Sequence, residues 1–255
     1  MSTFKDGYNA IVNIFSKQFY FLASLASLIG LFLFFVKTKW AVIVALVFFC
    51  LMLLSFTIAL IHTLLRLINL GNNEFESKST FVKYETLDGK NIVFETYKLI
   101  QAKKTMLTEF SFSFKWSGSI MPTVNSDIQN VINILDDQDP SKYDKAILKF
   151  KKPLYFNENE VIHFKAILDD TDKQSQTYVS NRIIQDVDII HYRIILKYKS
   201  ADYDVNAILE RRKINAINSN YAKIKEIAFD NITKSYEYHL LKPEIDYNYR
   251  IRWER

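Results

Sequence analysis

The side chains in this sequence best suited to chemistry are basic residues at alternate positions of β-like segments. Arg193 and Lys197 lie on the polar side of Ile189–Tyr198, and Arg250 and Arg252 on that of Tyr247–Trp253. An arginine presents a rigid fork of N–H donors that matches phosphate or carboxylate oxygens. Two such faces in one sheet would make a basic stripe. Arg211 and Arg212, with Lys213, form a second positive cluster at a strand end. Trp116 ends an aromatic segment in the turn Ser117-Gly118-Ser119. Aromatic rings stack on bases, so Trp116, Arg193, Lys197, Arg211, Arg212, Arg250 and Arg252 are the candidate ligand-binding residues. The competing reading of each is an ordinary solvent-facing side chain.

Other chemistry leaves no linear trace. The five glycines, at 7, 30, 71, 89 and 118, are not spaced as a phosphate cradle. No G-x-S-x-G elbow occurs. His163, His191 and His239 fall on separate strand-like segments, and no Cys/His cluster has zinc spacing. Asp136, Asp137, Asp169, Asp170 and Asp172 sit in turn-like runs that match no calcium loop. These patterns predict a non-enzyme with no cofactor and no metal site, although catalytic groups can converge from distant strands. The net charge of +5 comes from interspersed residues, 33 Lys+Arg against 28 Asp+Glu. Such a pattern predicts no binding to a DNA or RNA duplex.

The elements that must carry these residues divide sharply. Residues 19–36 and 41–65 are apolar runs separated only by KTKW. Each is long enough to cross a hydrocarbon core of about 30 Å. A signal peptide would have a shorter apolar core and a small-residue cleavage site. Two helices apolar on every side would otherwise need a very large partner to cover them. The expected arrangement is a transmembrane helical hairpin over 19–70, in contact with the lipid bilayer. Phe4, Tyr8, Ile11, Val12 and Phe15 share one helical face, so residues 1–18 read as an amphipathic interfacial helix. Ala23, Ser27 and Gly30 share one side of the first span, and Ser55, Ala59 and Thr63 one side of the second. Small residues at this spacing let helices approach closely in lipid, either within the hairpin or between protomers. Lys5, Lys17, Arg66, Lys78 and Lys83 flank the spans on one side and Lys37 and Lys39 on the other. That bias favours cytoplasmic termini in a multi-pass protein. The lone cysteine, Cys50, lies within the second run, so disulfides do not brace the rest.

After a polar linker over 71–79, residues 80–255 change to a period of two. Asp88-Gly89 between two alternating runs is a hairpin signal. Alternation also marks Phe110–Trp116, Ile189–Tyr198 and Tyr247–Trp253. Ten or eleven strands with one buried and one wet face predict a mainly antiparallel sandwich or barrel. The fold class is therefore α+β in two parts. The stripe Val124, Ile128, Val131, Ile132, Leu135 predicts one short helix over 125–135.

Two spans followed by a strand-rich domain resemble the two-transmembrane β-domain effectors of bacterial anti-phage signalling of the CBASS type. Lys152-Pro153-Leu154 with Asn157-Glu158-Asn159-Glu160, and the segment Tyr247–Trp253, are similar to an Ig-like β-domain found in bacterial defence loci. The resemblance implies an inner-membrane, homo-oligomeric effector that senses a cyclic nucleotide or oligonucleotide and disrupts the membrane. The β-domain here is much larger than in the smallest such effectors. The alternative is a membrane-anchored docking module for a protein partner, without pore activity.

Overall fold

The computed structural model describes Ser24, Ser27, Gly30 and residues 39–69, 73–135, 142–216 and 219–255. The chain divides into two compact units, Met1–Gly71 and Asn72–Arg255.

In the first unit, helix α1 (Lys39–Asn69) contains the stretch Val42–Leu65, 24 residues that are apolar and long enough to cross a membrane. At 1.5 Å per residue that stretch is about 36 Å long. Its hydroxyls find partners inside the helix: Ser55 donates to the Met52 carbonyl at 2.9 Å, Thr57 to Leu53 at 2.8 Å and Thr63 to Ala59 at 2.8 Å. Such internal satisfaction suits a helix whose surroundings supply no water. Ser24, Ser27 and Gly30 are helical. Ala23 and the interfacial segment 1–18 lie outside the described residues.

The second unit is built from three sheets. The largest has the order β12 (Ser235–Leu241), β9 (Ile189–Leu196), β1 (Phe75–Thr86), β2 (Asn91–Ala102), β7 (Asn159–Asp169) and β4 (Thr123–Asn125). A four-stranded sheet has the order β11 (Ala222–Ile227), β10 (Ala207–Lys213), β13 (Tyr247–Arg252) and β8 (Tyr178–Ile183). A three-stranded sheet joins β3 (Met106–Phe114), β6 (Asp144–Tyr155) and β5 (Asn130–Leu135). All pairings between these strands are antiparallel except β1 with β9, which run parallel. No closed barrel forms among the described residues.

One face of the large sheet is buried twice over. Val82, Ile190, Tyr192, Ile194 and Tyr236 pack with Leu209, Tyr249, Ile251 and Trp253 of the four-stranded sheet and its C-terminal flank. Ile92, Ile100, Ile162 and Phe164 pack with Phe110, Phe114, Ala146 and Leu148 of the three-stranded sheet. Tyr84 and Phe94 bridge the first of these clusters and the one around Phe164. Alternation placed Ile190, Tyr192 and Ile194 of β9, and Tyr249 and Ile251 of β13 with Trp253 after it, on the buried face, although Ile195 on the opposite face is buried too and Tyr198 is exposed.

Two expectations change. The segment 125–135 is not a helix: it forms the end of β4, a turn and the edge strand β5. Ser126 makes the turn, its hydroxyl accepting the amide hydrogens of Ile128 (3.2 Å) and Gln129 (3.0 Å). The β-branched Val131, Ile132 and Ile134 then suit an extended chain. Strand β1 also begins at Phe75, within the stretch read as a linker. Phe75 earns its place there by packing its ring 4.8 Å from that of Phe110.

Candidate anion-binding face

The outward face of the four-stranded sheet gathers arginine and tyrosine. In register, Arg252 pairs with Ile208 and Tyr178, Arg250 with Glu210 and Ser180, and Asn248 with Arg212 and Arg182. The pleat puts Arg182, Arg212, Arg250 and Arg252 on one side of the sheet. Glu210 is buried beneath the last two, accepting Arg250 Nε at 2.6 Å and Arg252 Nε at 3.2 Å on one carboxylate oxygen. Lys223 and Glu226 on β11 pair with each other. Two of the four guanidinium groups on this face thus share one buried carboxylate.

Tyrosine rings lie against three of the arginines. Arg250 lies 3.6 Å from the Tyr221 ring centre and 5.3 Å from that of Tyr178. Arg212 sits 4.6 Å from the centre of the same Tyr221 ring, and Arg182 5.3 Å from that of Tyr143. Cation–π contacts orient the guanidinium plane without consuming its N–H donors. Burial pushes the Tyr178 hydroxyl above its usual range, with Tyr221 adding to the effect and Arg250 opposing it. The hydroxyl thus keeps its proton at neutral pH and remains a hydrogen-bond donor. The surface can accept an anion with several oxygens, and its rings can take a flat aromatic group.

The structure brings Arg212, Arg250 and Arg252 together but separates them from Arg193 and Lys197, which belong to the large sheet and its end. No single stripe unites all four of the alternating basic residues. Lys197 is tied to Glu85 at 3.2 Å. Arg211, adjacent to Arg212 in sequence, points to the opposite side of β10, where it binds Glu244 and lies 4.6 Å from the Tyr247 ring. The Glu244 bond, then the Tyr249 hydroxyl, hold the Arg211 guanidinium above its ordinary range. Trp116 is no open platform. It packs on the Phe164 cluster, and Gly118 presses so close that an added Cβ would sit 2.6 Å from the indole. The turn after it is tied down, Ser117 accepting the Gln176 amide at 2.9 Å and Ser119 bonding Asp172. Arg182, Tyr143, Tyr178 and Tyr221 escaped sequence reasoning. For Arg182 a signal existed: Tyr178, Ser180 and Arg182 alternate as Arg252, Arg250 and Asn248 do.

The large sheet carries a different constellation on its open face. Strand pairing lines up His239, His191, Phe81, Tyr97 and His163 across five strands. Successive ring centres are 4.0, 4.8, 6.2 and 4.4 Å apart. Two of the histidines, far apart in sequence, are thus direct cross-strand neighbours. Glu95, buried beside this row, is held by Lys165 at 3.2 Å and Lys83 at 3.3 Å. A cleft of about 840 Å³ opens by the end of β6, where Lys152, Pro153 and Leu154 face Gln129 and Glu158.

No family model matches this chain, and no curated protein matches it. Among solved structures, an M1 zinc metallopeptidase from Deinococcus radiodurans is similar over 72% of this chain and 43% of its own length, with 9% identity and a TM-score of 0.39. The chain thus spans less than half of that enzyme. Baculovirus P35 is similar over 71% of this chain and 98% of its own, with 10% identity and a TM-score of 0.32. Likeness of this extent says nothing of activity.

Proposed function

We propose that this chain is a membrane-tethered effector whose β-domain takes a phosphate-bearing nucleotide on the arginine–tyrosine face of the four-stranded sheet. In this reading the apolar helices sit in the bacterial inner membrane and respond to the ligand by assembling and disrupting the bilayer. The observation that carries it is the gathering of Arg182, Arg212, Arg250 and Arg252 on one face of the sheet, three of them against tyrosine rings. The resemblance to CBASS-type effectors supplies the cyclic nucleotide as ligand class. A ligand can shift assembly only by binding the two states unequally.

The test is equilibrium binding of cyclic di- and trinucleotides to the full chain in detergent. Arg182→Ala and Arg212→Ala, which leave the Glu210 pairs intact, are each expected to weaken binding at least about fivefold, the scale of one charge-assisted contact. Binding unchanged in the double variant would refute the site. Dye entry into cells after induced expression with ligand tests the effector step.

A second reading, docking of a protein partner by strand addition, is favoured by the edge strand β5. Its Ile132, Ile134 and Leu135 are exposed, and an apolar edge is a template for pairing. Under that reading nucleotide has no effect, and a charged residue at Ile134 abolishes partner capture.

A further inference from the structure

We propose that His191, Glu237 and His239 form a binding site for one divalent transition-metal ion of the zinc class on the open face of the large sheet. His191 on β9 and His239 on β12 are directly opposed in an antiparallel pair, which puts their Cβ atoms about 4.5–5.5 Å apart. Their rings are nearly parallel, with centres 4.0 Å apart and planes inclined by 12°. Glu237 precedes His239 by two residues, so the pleat turns its carboxylate to the same face. Its Oε1 lies 2.7 Å from His191 Nε2. All three donor atoms fall within 4.8 Å of one another.

Those dimensions suit an ion. Zinc–nitrogen and zinc–oxygen bonds of about 2.0–2.2 Å in a tetrahedron place donors about 3.4 Å apart. Small side-chain rotations close the remaining gap. Two imidazoles and one carboxylate form a borderline donor set that selects zinc, cobalt, nickel or copper over calcium or magnesium. Three protein donors leave the fourth position for water, and all three residues are reachable from solvent: His239 and Glu237 are exposed and His191 is half-buried. Phe81 backs the His191 ring at 4.8 Å on its far side, which stops the imidazole turning away towards β1. When His191 Nε2 offers its lone pair to the ion, the neutral ring carries its proton on Nδ1 instead. The facing cation is Arg193, in register with Glu237, and it competes for that carboxylate.

The other cluster on this face, Glu95, Asp127 and His163, lacks the same freedom. His163 Nδ1 already accepts the Asp127 amide hydrogen at 2.8 Å, and Glu95 is gripped by two lysines.

The experiment uses the full chain in detergent, with no histidine tag, titrated with Co²⁺ and read by its visible absorption, then with Zn²⁺ as competitor. One equivalent of Co²⁺ should develop bands that Zn²⁺ removes. His239→Phe keeps a ring in the ladder while removing a donor, and Glu237→Gln removes the charged oxygen. Each should weaken Co²⁺ binding by more than about tenfold, with the thermal midpoint of the metal-free protein unchanged. If the two histidines only stack, His239→Phe binds Co²⁺ as the parent does, or neither binds. Either result overturns the site, and neither bears on nucleotide binding at the four-stranded sheet.

Discussion

Lys98 occupies a position on β2 that its alternation assigns to the inner face, between Phe94 and Thr96 on one side and Ile100 on the other. Its nitrogen lies 5.9 Å from the Phe110 ring centre. Burial holds its ammonium below the ordinary lysine range. A charge kept in such surroundings opposes folding, so Lys98→Met is expected to raise stability by about 1 kcal/mol, read from denaturant midpoints; a loss of that size would show a hidden partner. His163 makes the domain sensitive to acid. Burial, the largest influence, holds its imidazole below 6.5, while Asp127 and Glu95 pull it back up. The unfolded chain thus binds a proton that the folded domain resists. The contribution is complete above pH 6.5 and is lost as pH falls through the folded value. For Glu95, burial raises the carboxyl, but Lys165 and Lys83 outweigh it and leave the group below 4.5. Its contribution is therefore present above pH 4.5 and disappears further into acid. Thermal midpoints should fall in both windows, and His163→Gln should flatten the first. A midpoint that rises on mild acidification would contradict this assignment. The sequence named the chemistry of Arg212, Arg250 and Arg252 but not their company, because alternation tells which face a residue takes and not which strand lies beside it.

At the level of elements, the β1–β2 hairpin was legible from Asp88-Gly89 alone. Gly89 has φ +74°, and Asp88 Oδ1 accepts the amide hydrogens of Lys90 and Asn91 at 2.8 Å each. An added Cβ on Gly89 would also meet the Tyr198 ring at 3.4 Å. Gly89→Ala should cost about 1–2 kcal/mol, since an L-residue pays that in the left-handed region; an unchanged melting midpoint would mean that the turn relaxes. Strand β5 was missed because Val124, Ile128, Val131, Ile132 and Leu135 fit a helical stripe as well as an edge. An edge strand needs no strict alternation, and only the Ser126 turn breaks the tie. The parallel pairing of β1 with β9 was beyond reach, since seven strands drawn from all three sheets come between the two in sequence. That same pairing puts Phe81 behind His191, and so the metal site inherits its shape from a contact that no local pattern encodes. Glu210, beneath Arg250 and Arg252, is the keystone of its face. Glu210→Ala should destabilise the domain by about 1–2 kcal/mol, because it leaves the half-buried Arg250 without its carboxylate, while water screens the exposed Arg252.

The molecule as a whole divides into two units, Met1–Gly71 and Asn72–Arg255, and the second is the β-rich body. In the body, two smaller sheets share the inner face of the large one. The first unit is the part on which the functional reading depends. A ligand on the arginine–tyrosine face can act on a bilayer only if Val42–Leu65 lies in it. The most direct measurement is the partition of the expressed full chain between membrane and supernatant after an alkaline carbonate wash. Retention in the membrane fraction, with release only by detergent, is the predicted result. Recovery of a folded chain in the wash would contradict membrane insertion, and the proposed effector would fall with it.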